Sequence, residues 1–141
     1  MKLEFIDEQH EAFFKVAPGR FNFLADDVER LALFYLLGLM PELRKNIDLL
    51  YDTHIGGIRP EGLHAPFQTS GTSALTKLAF ILYNNYQEVK LRYPDRDEDE
   101  DDNFTYYTSP SLLNIFAPLD RKLFPFLHMA IDLRFGLISE I

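Results

Sequence analysis

The sequence contains no cysteine and no tryptophan among its 141 residues, and it has few basic side chains. Without cysteine there is no disulfide framework, no thiolate nucleophile, no iron–sulfur cluster and no cysteine zinc site. Fourteen lysines and arginines stand against 22 aspartates and glutamates, for a formal net charge of −8. This balance argues against direct nucleic-acid binding, because a protein that contacts phosphates needs a basic face.

Long hydrophobic runs are also missing. The most apolar run, Leu31–Met40, has ten residues, whereas a helix that spans a bilayer needs about 20. Residues 1–8 lack the apolar stretch of a signal peptide. We therefore expect a cytoplasmic protein, in a bacterium or a host cell, with no membrane contact. A chain of this length makes one domain that can bury a core without covalent staples.

The negative charge is concentrated in one place. Residues 95–102 carry seven acids and one arginine, a net charge of −6, whereas residues 1–94 carry −2 and residues 103–141 carry zero. A block of like charges repels itself and has nothing to bury. We therefore expect an acidic loop at 95–103 within a single domain, 1–141.

Apolar residues recur at helical spacing along most of the chain, which predicts an all-α or mainly α domain, a compact bundle of about six helices. A short β-hairpin around Gly56–Gly57 is the one exception that we expect, within the loop 52–70. The predicted helices are Asp7 (cap) to about Val16, Asp26 (cap) to Gly38, Pro41 to Tyr51, Thr72 or Ser73 through Val89, Ser109 (cap) to Phe116, and Asp120 onward.

Motifs for catalysis and for metals are not found. There is no phosphate-binding loop, no nucleophile elbow and no metalloprotease pattern. The alternating Asp95, Asp97, Asp99 and Asp101 resemble the start of a calcium loop, but the glycine and glutamate that such a loop needs are absent at positions six and twelve. We expect no catalytic residue, no cofactor and no metal, and hence a protein that is not an enzyme.

The hydroxyl-rich turn before the fourth helix has two interpretations. Free N–H groups at a helix N-terminus can hold an anion, which makes the turn a candidate ligand site. The same side chains are those that cap a helix, and we favour capping. The candidate ligand-binding residues are Arg59, His64, Gln68, Thr69, Ser70, Thr72 and Ser73.

Aromatic side chains flank the acidic run. Rings supply contact area at protein interfaces and charge steers association, although such rings also serve to fix the ends of a loop. The candidate partner-binding residues are Tyr93, Asp97, Glu98, Asp99, Glu100, Asp101, Asp102, Tyr106 and Tyr107.

Several short strings resemble a family of short uncharacterised proteins found in bacteria, prophages and phages. They are Phe67-Gln68-Thr69 with Gly71-Thr72-Ser73, residues 78–84, residues 5–14, residues 33–39 and residues 130–135. Relative to the family pattern, Ser70 is one residue too many, and the acidic run looks like an insertion. The family has no established activity, so the resemblance implies only a context, an accessory protein of mobile elements.

Three hypotheses follow. The leading one is a phage-type inhibitor that binds a basic, nucleic-acid-handling host defence protein, such as a restriction or CRISPR nuclease, by partial mimicry of nucleic acid. The second is a small-ligand or nucleotide-binding protein that uses the turn Gln68–Ser73. The third is a structural module that forms homo-oligomers.

Overall fold

The computed structural model describes residues 1–86 and 111–141. These residues form six α-helices and one two-stranded antiparallel hairpin, so the mainly α prediction is confirmed. The helices and strands are α1 (Glu8–Arg20), α2 (Val28–Leu37), α3 (Pro41–Lys45), β1 (Tyr51–Asp52), β2 (Gly57–Ile58), α4 (Ser70–Asn84), α5 (Leu112–Phe116) and α6 (Phe124–Arg134). Short 3-10 turns lie at Ile47–Leu49, Pro60–His64 and Arg121–Leu123.

Helix α2 forms the centre of the core. Each residue from Leu31 to Leu37 is at most 2% exposed, because α1, α4 and α6 pack around it. Phe34 stacks on Phe21 with ring centroids 4.3 Å apart and lies edge-on to Tyr51 at 4.8 Å. Much of the aromatic content of the chain therefore fills this one core.

Helix α1 continues through Pro18 to Arg20, so the predicted end at about Val16 was wrong. Proline in the last turn removes only one backbone donor. The turn is held by the Phe21 N–H, which donates to the Ala17 carbonyl at 2.8 Å, and by burial of the Phe21 ring. The predicted N-cap, Asp7, is confirmed: its side chain accepts from the His10 N–H at 2.7 Å.

Helix α2 is capped by Asp27 and not by Asp26, contrary to the prediction. The Asp27 carboxylate accepts from the Arg30 N–H at 3.1 Å and from the Arg30 guanidinium at 2.8 Å. Glu29, which stands three residues after Asp26 at the position of a capping-box partner, lies 3.7 Å from Arg134 of α6. A tertiary ion pair replaces the local motif.

Helix α3 is shorter than predicted. It begins at Pro41 as expected but ends at Lys45, and Tyr51 lies in a strand. The Asn46 amide donates to the Glu42 carbonyl at 2.8 Å, which is a local bond that competes with continuation of the helix.

The hairpin is confirmed, with Tyr51 opposite Ile58 and Asp52 opposite Gly57. Its turn needs Gly56, whose backbone angle φ is +79°, a value that residues with a side chain rarely adopt. Arg30 fixes the hairpin to α2, since its guanidinium donates to the Tyr51 hydroxyl at 3.0 Å and to the Gly56 carbonyl at 2.6 Å.

Helix α4 begins at Ser70, earlier than the predicted Thr72 or Ser73, and ends at Asn84, before the predicted Val89. Asn85 has φ 63, and the Tyr86 N–H donates back to the Phe80 carbonyl at 3.3 Å. This left-handed asparagine is a common helix stop. Val89 and Pro94 lie outside the described residues.

The last two helices also start differently from the prediction. Helix α5 is capped by Ser111, whose hydroxyl accepts from the Asn114 N–H at 3.2 Å; the predicted cap, Ser109, and Pro110 lie outside the described residues. Asp120 caps a 3-10 turn, and α6 begins only at Phe124, with Pro125 in its first turn. No helix among the described residues is long and apolar enough to cross a membrane.

Candidate functional site

The hydroxyl-rich turn before α4 forms a helix cap. The Thr69 hydroxyl accepts from the Thr72 N–H at 3.2 Å, and the Thr72 hydroxyl accepts from the Thr69 N–H at 2.8 Å. The Ser73 N–H donates to the Thr69 carbonyl at 2.9 Å, and Ser70 is exposed. The two threonines thus make a reciprocal capping box, which is the use that sequence reasoning favoured.

Gln68 connects this cap to the preceding loop. Its amide Nε2 donates to the Gly62 carbonyl at 3.0 Å and lies 3.4 Å from the buried Thr76 hydroxyl. Gly62 packs so closely on the Leu49 carbonyl that a Cβ there would clash. The Gln68 Oε1 is buried and has no hydrogen-bond partner among the described residues. The observed contacts of Gln68 join the 3-10 turn at Pro60–His64 to α4.

Arg59 and His64, the other candidate ligand residues, flank that 3-10 turn. The guanidinium of Arg59 lies 3.1 Å from a carboxylate oxygen of Asp52 and 3.8 Å from one of Glu61. The Ile55 N–H, which bonds the Asp52 carboxylate, lowers the pKa of Asp52, and Arg59 acts in the same direction. These contacts give Arg59 a role in the hairpin, and His64 is exposed at the end of the turn.

The candidate partner-binding residues Tyr93, Asp97–Asp102, Tyr106 and Tyr107 all lie in 87–110, outside the described residues. Their role in binding a partner stays a prediction. No group of three or more histidine, aspartate or glutamate side chains within residues 1–86 and 111–141 is arranged to hold a metal ion.

His10 belongs to the core. Its Nε2 donates to the Tyr35 carbonyl at 2.7 Å, and its Nδ1 accepts from the Ile6 N–H at 3.2 Å. The Nδ1 atom can accept only when it carries no proton, so the bond from Ile6 requires the neutral ring, and burial lowers the pKa of His10 to about 4. The ring lies among aromatic side chains, 4.7 Å from Tyr35 and 5.2 Å from Phe5 between centroids. His10 therefore anchors the N-terminal segment.

A shallow, open acidic cleft at the start of the chain was missed by sequence reasoning. It has a volume of about 460 Å³ and is lined by Leu3, Phe5 and four carboxylate residues, Glu4, Asp7, Glu8 and Glu11. We call these six residues the N-terminal cleft. The signal in the sequence was four acids within eight residues, a pattern that is also common at an ordinary helix start.

The carboxylates of the N-terminal cleft differ in their partners. Asp7 caps α1, and Glu11 lies 3.5 Å from Lys15. Glu4 and Glu8 are exposed, and no lysine or arginine of the described part of the chain lies within ion-pair distance of either. Leu3, which is buried, and Phe5, which is half-buried, line the same cleft. The cleft thus combines an apolar floor with two carboxylates that can accept a cation.

Comparison with known proteins confirms the resemblance to an uncharacterised family. No curated protein and no solved structure matches the chain significantly. A family model matches almost the entire chain, residues 1–140. The chain belongs to DUF6075, a family of unknown function.

Proposed function

We propose that this protein is a non-enzymatic binding protein whose partner is a basic protein. The observation that carries the proposal is the N-terminal cleft, in which Glu4 and Glu8 are exposed above a floor formed by Leu3 and Phe5. Lysine and arginine side chains have an apolar stem and a charged head. Such a side chain from a partner lays its stem on Phe5 and brings its head to the two carboxylates.

The acidic run adds charge of the same sign. Residues 95–102 carry a net charge of −6 in a chain of net charge −8. Charge of this density steers a basic partner toward the encounter and raises the association rate. In this proposal Asp97–Asp102 supply the steering and Tyr93, Tyr106 and Tyr107 supply contact area, while the N-terminal cleft provides an ordered contact.

The partner that we favour is a nucleic-acid-handling protein of a host cell, such as a restriction or CRISPR nuclease. The channel of such a protein carries the basic surface that phosphates require, and an acidic protein competes for that surface. The family resemblance to proteins of bacteria, prophages and phages supplies the context. The activity would be inhibition by occupying part of the channel.

The test measures competition with DNA. Purified restriction and CRISPR nucleases are incubated with labelled duplex DNA and increasing amounts of the protein, at low and at high salt. We expect displacement of DNA from a susceptible nuclease at low salt, which weakens as salt screens the charges. Replacing Asp97–Asp102 with serine and asparagine should slow association, and Glu4→Gln with Glu8→Gln should speed dissociation.

The matched control removes two exposed carboxylates from another part of the molecule. Glu42→Gln with Asp48→Asn changes the net charge as much as the cleft variant does, at exposed positions of α3 and of the following 3-10 turn. Displacement should be nearly the same as for the wild-type protein. The proposal would be refuted if the wild-type protein, the variant without the acids of Asp97–Asp102 and the Glu4→Gln/Glu8→Gln variant all displaced DNA equally.

A further inference from the structure

Apolar side chains on the outside of α5 and α6 form an exposed surface. Leu112 and Leu113 are 70% and 79% exposed, Ile131 is 42% exposed, and Phe135, directly after α6, is 69% exposed. We call these four residues the outer patch. At roughly 200 Å² for each fully exposed side chain, they present about 500 Å². This area is near the upper end for the largest apolar patch of a monomeric protein.

The outer patch is continuous with a groove. The groove has a volume of about 530 Å³ and lies between the end of α4, α5 and α6. Three of the four patch residues, Leu112, Ile131 and Phe135, line it together with Leu78, Leu82 and Phe116. A recess and exposed side chains beside it therefore occur on one surface.

The same surface has little net charge. Helix α5, Leu112–Phe116, contains no charged residue. The two charged side chains at the groove, Glu29 and Arg134, lie 3.7 Å apart, and the Arg134 Nε donates to the Leu82 carbonyl at 2.9 Å. Depletion of charge at the centre with a polar rim is typical of protein interfaces.

We propose that the outer patch and its groove form the interface of a two-fold homodimer. A two-fold interface uses the same surface of both copies, so a projecting side chain and a recess must occur side by side. Leu112, Ile131 and Phe135 are exposed and also line the groove, so one surface of each copy offers both apolar side chains and a recess. If the outer patches were fully covered, two copies would bury about 1,000 Å² through them, which is the lower limit for a specific interface, and the groove residues add to this area.

The net charge of the chain predicts how salt affects this dimer. Two copies of net charge −8 repel each other, and salt screens that repulsion. Dimerisation should therefore strengthen with salt, whereas the binding of a basic partner should weaken. The opposite salt dependence separates this inference from the proposed function, so the failure of one leaves the other standing.

The experiment is sedimentation velocity of the full chain from low to high micromolar concentration, at two salt concentrations. We expect a monomer–dimer equilibrium that shifts toward dimer at the higher salt. Leu113→Ser with Phe135→Ser should raise the dimer dissociation constant about tenfold or more, because the variant removes two apolar contacts from each copy. Circular dichroism and thermal unfolding should match the wild-type protein, since both side chains are exposed.

The control variant is Leu24→Ser with Ile55→Ser. These side chains are 75% and 80% exposed, and neither lines the groove. The control should dimerise like the wild-type protein.

Two results would overturn the inference: a wild-type chain that remains monomeric at all concentrations, or a Leu113→Ser/Phe135→Ser variant that dimerises normally. A monomeric wild-type chain would mean that other residues of the chain or another molecule cover the patch.

Discussion

Helix α2 and the outer pair α5 and α6 are both rich in apolar residues, but they bury very different fractions of them. In α2 the run Leu31–Leu37 is at most 2% exposed. In α5 and α6, Leu112 and Ile131 are 70% and 42% exposed. Helix α2 has neighbours on several sides, whereas α6 packs on α2 through one face and leaves Ile131 exposed, and α5 packs mainly on α4. The apolar content of a helix therefore shows that it can bury surface. Its position in the fold decides whether other helices of the same chain cover that surface.

The largest expected effect is the loss of a core ring. Phe34→Ala removes the ring that stacks on Phe21 and contacts Tyr51, and it should lower the free energy of unfolding by about 3–5 kcal/mol. Phe135→Ala on the exposed side should change it by less than about 0.5 kcal/mol. Urea unfolding at a dilution that keeps the chain monomeric measures both. Similar losses for the two variants would contradict the difference in burial.

The next effect compares a buried histidine with an exposed one. The pKa of His10 falls from 6.5 in the unfolded chain to about 4 in the folded chain, so the unfolded chain binds more protons between these values. The contribution of neutral His10 to the free energy of unfolding is therefore complete above pH 6.5. About 3 kcal/mol of it is lost as the pH falls to 4. Urea unfolding at several pH values measures this slope.

Two variants test whether His10 causes this dependence of stability on pH. His10→Gln should flatten the dependence of stability on pH between 6.5 and 4, because the group that takes up the proton is gone. His128→Gln, at an exposed position of α6, should leave the slope as it is. An unchanged slope in His10→Gln would show that other groups cause the acid sensitivity.

The smallest effect compares two helix caps. Thr69→Ala removes one half of the reciprocal bonds at the start of α4 and should cost about 1 kcal/mol. Ser111→Ala removes a single exposed bond at the start of the five-residue α5 and should cost about 0.5 kcal/mol. Thermal unfolding measures both, with Thr69→Ser as a control that keeps the hydroxyl. A greater loss of stability in Ser111→Ala than in Thr69→Ala would contradict this ranking of the two caps.

Local signals predicted the fold where one interaction dominates. Asp7 caps α1 and Pro41 begins α3 as expected, and the hairpin at Gly56–Gly57 is present. Prediction failed where two local solutions compete. Asp26 and Asp27 are both good caps, and the pairing of Glu29 with Arg134, which is distant in sequence, accompanies the choice of Asp27.

The candidate sites also differ in whether local sequence alone could predict them. The interpretation of Thr69 and Thr72 as a cap could be made from residue types and spacing, because a capping box is local. The N-terminal cleft could not, since its floor depends on how Leu3 and Phe5 pack against the body of the protein. The groove beside α5 combines side chains from α4, α5 and α6, and no local pattern relates these helices.

The sequence alone determined the class of the fold, the absence of cysteine chemistry and the concentration of charge at 95–102, because composition and short-range periodicity carry that information. Only the tertiary structure decided which apolar helix lies at the centre, which histidine is buried as a neutral ring, and which acids and apolar side chains share a surface. These features depend on contacts between segments far apart in the chain, such as the bond from His10 to Tyr35. Their energy comes from packing and burial, which no single segment contains.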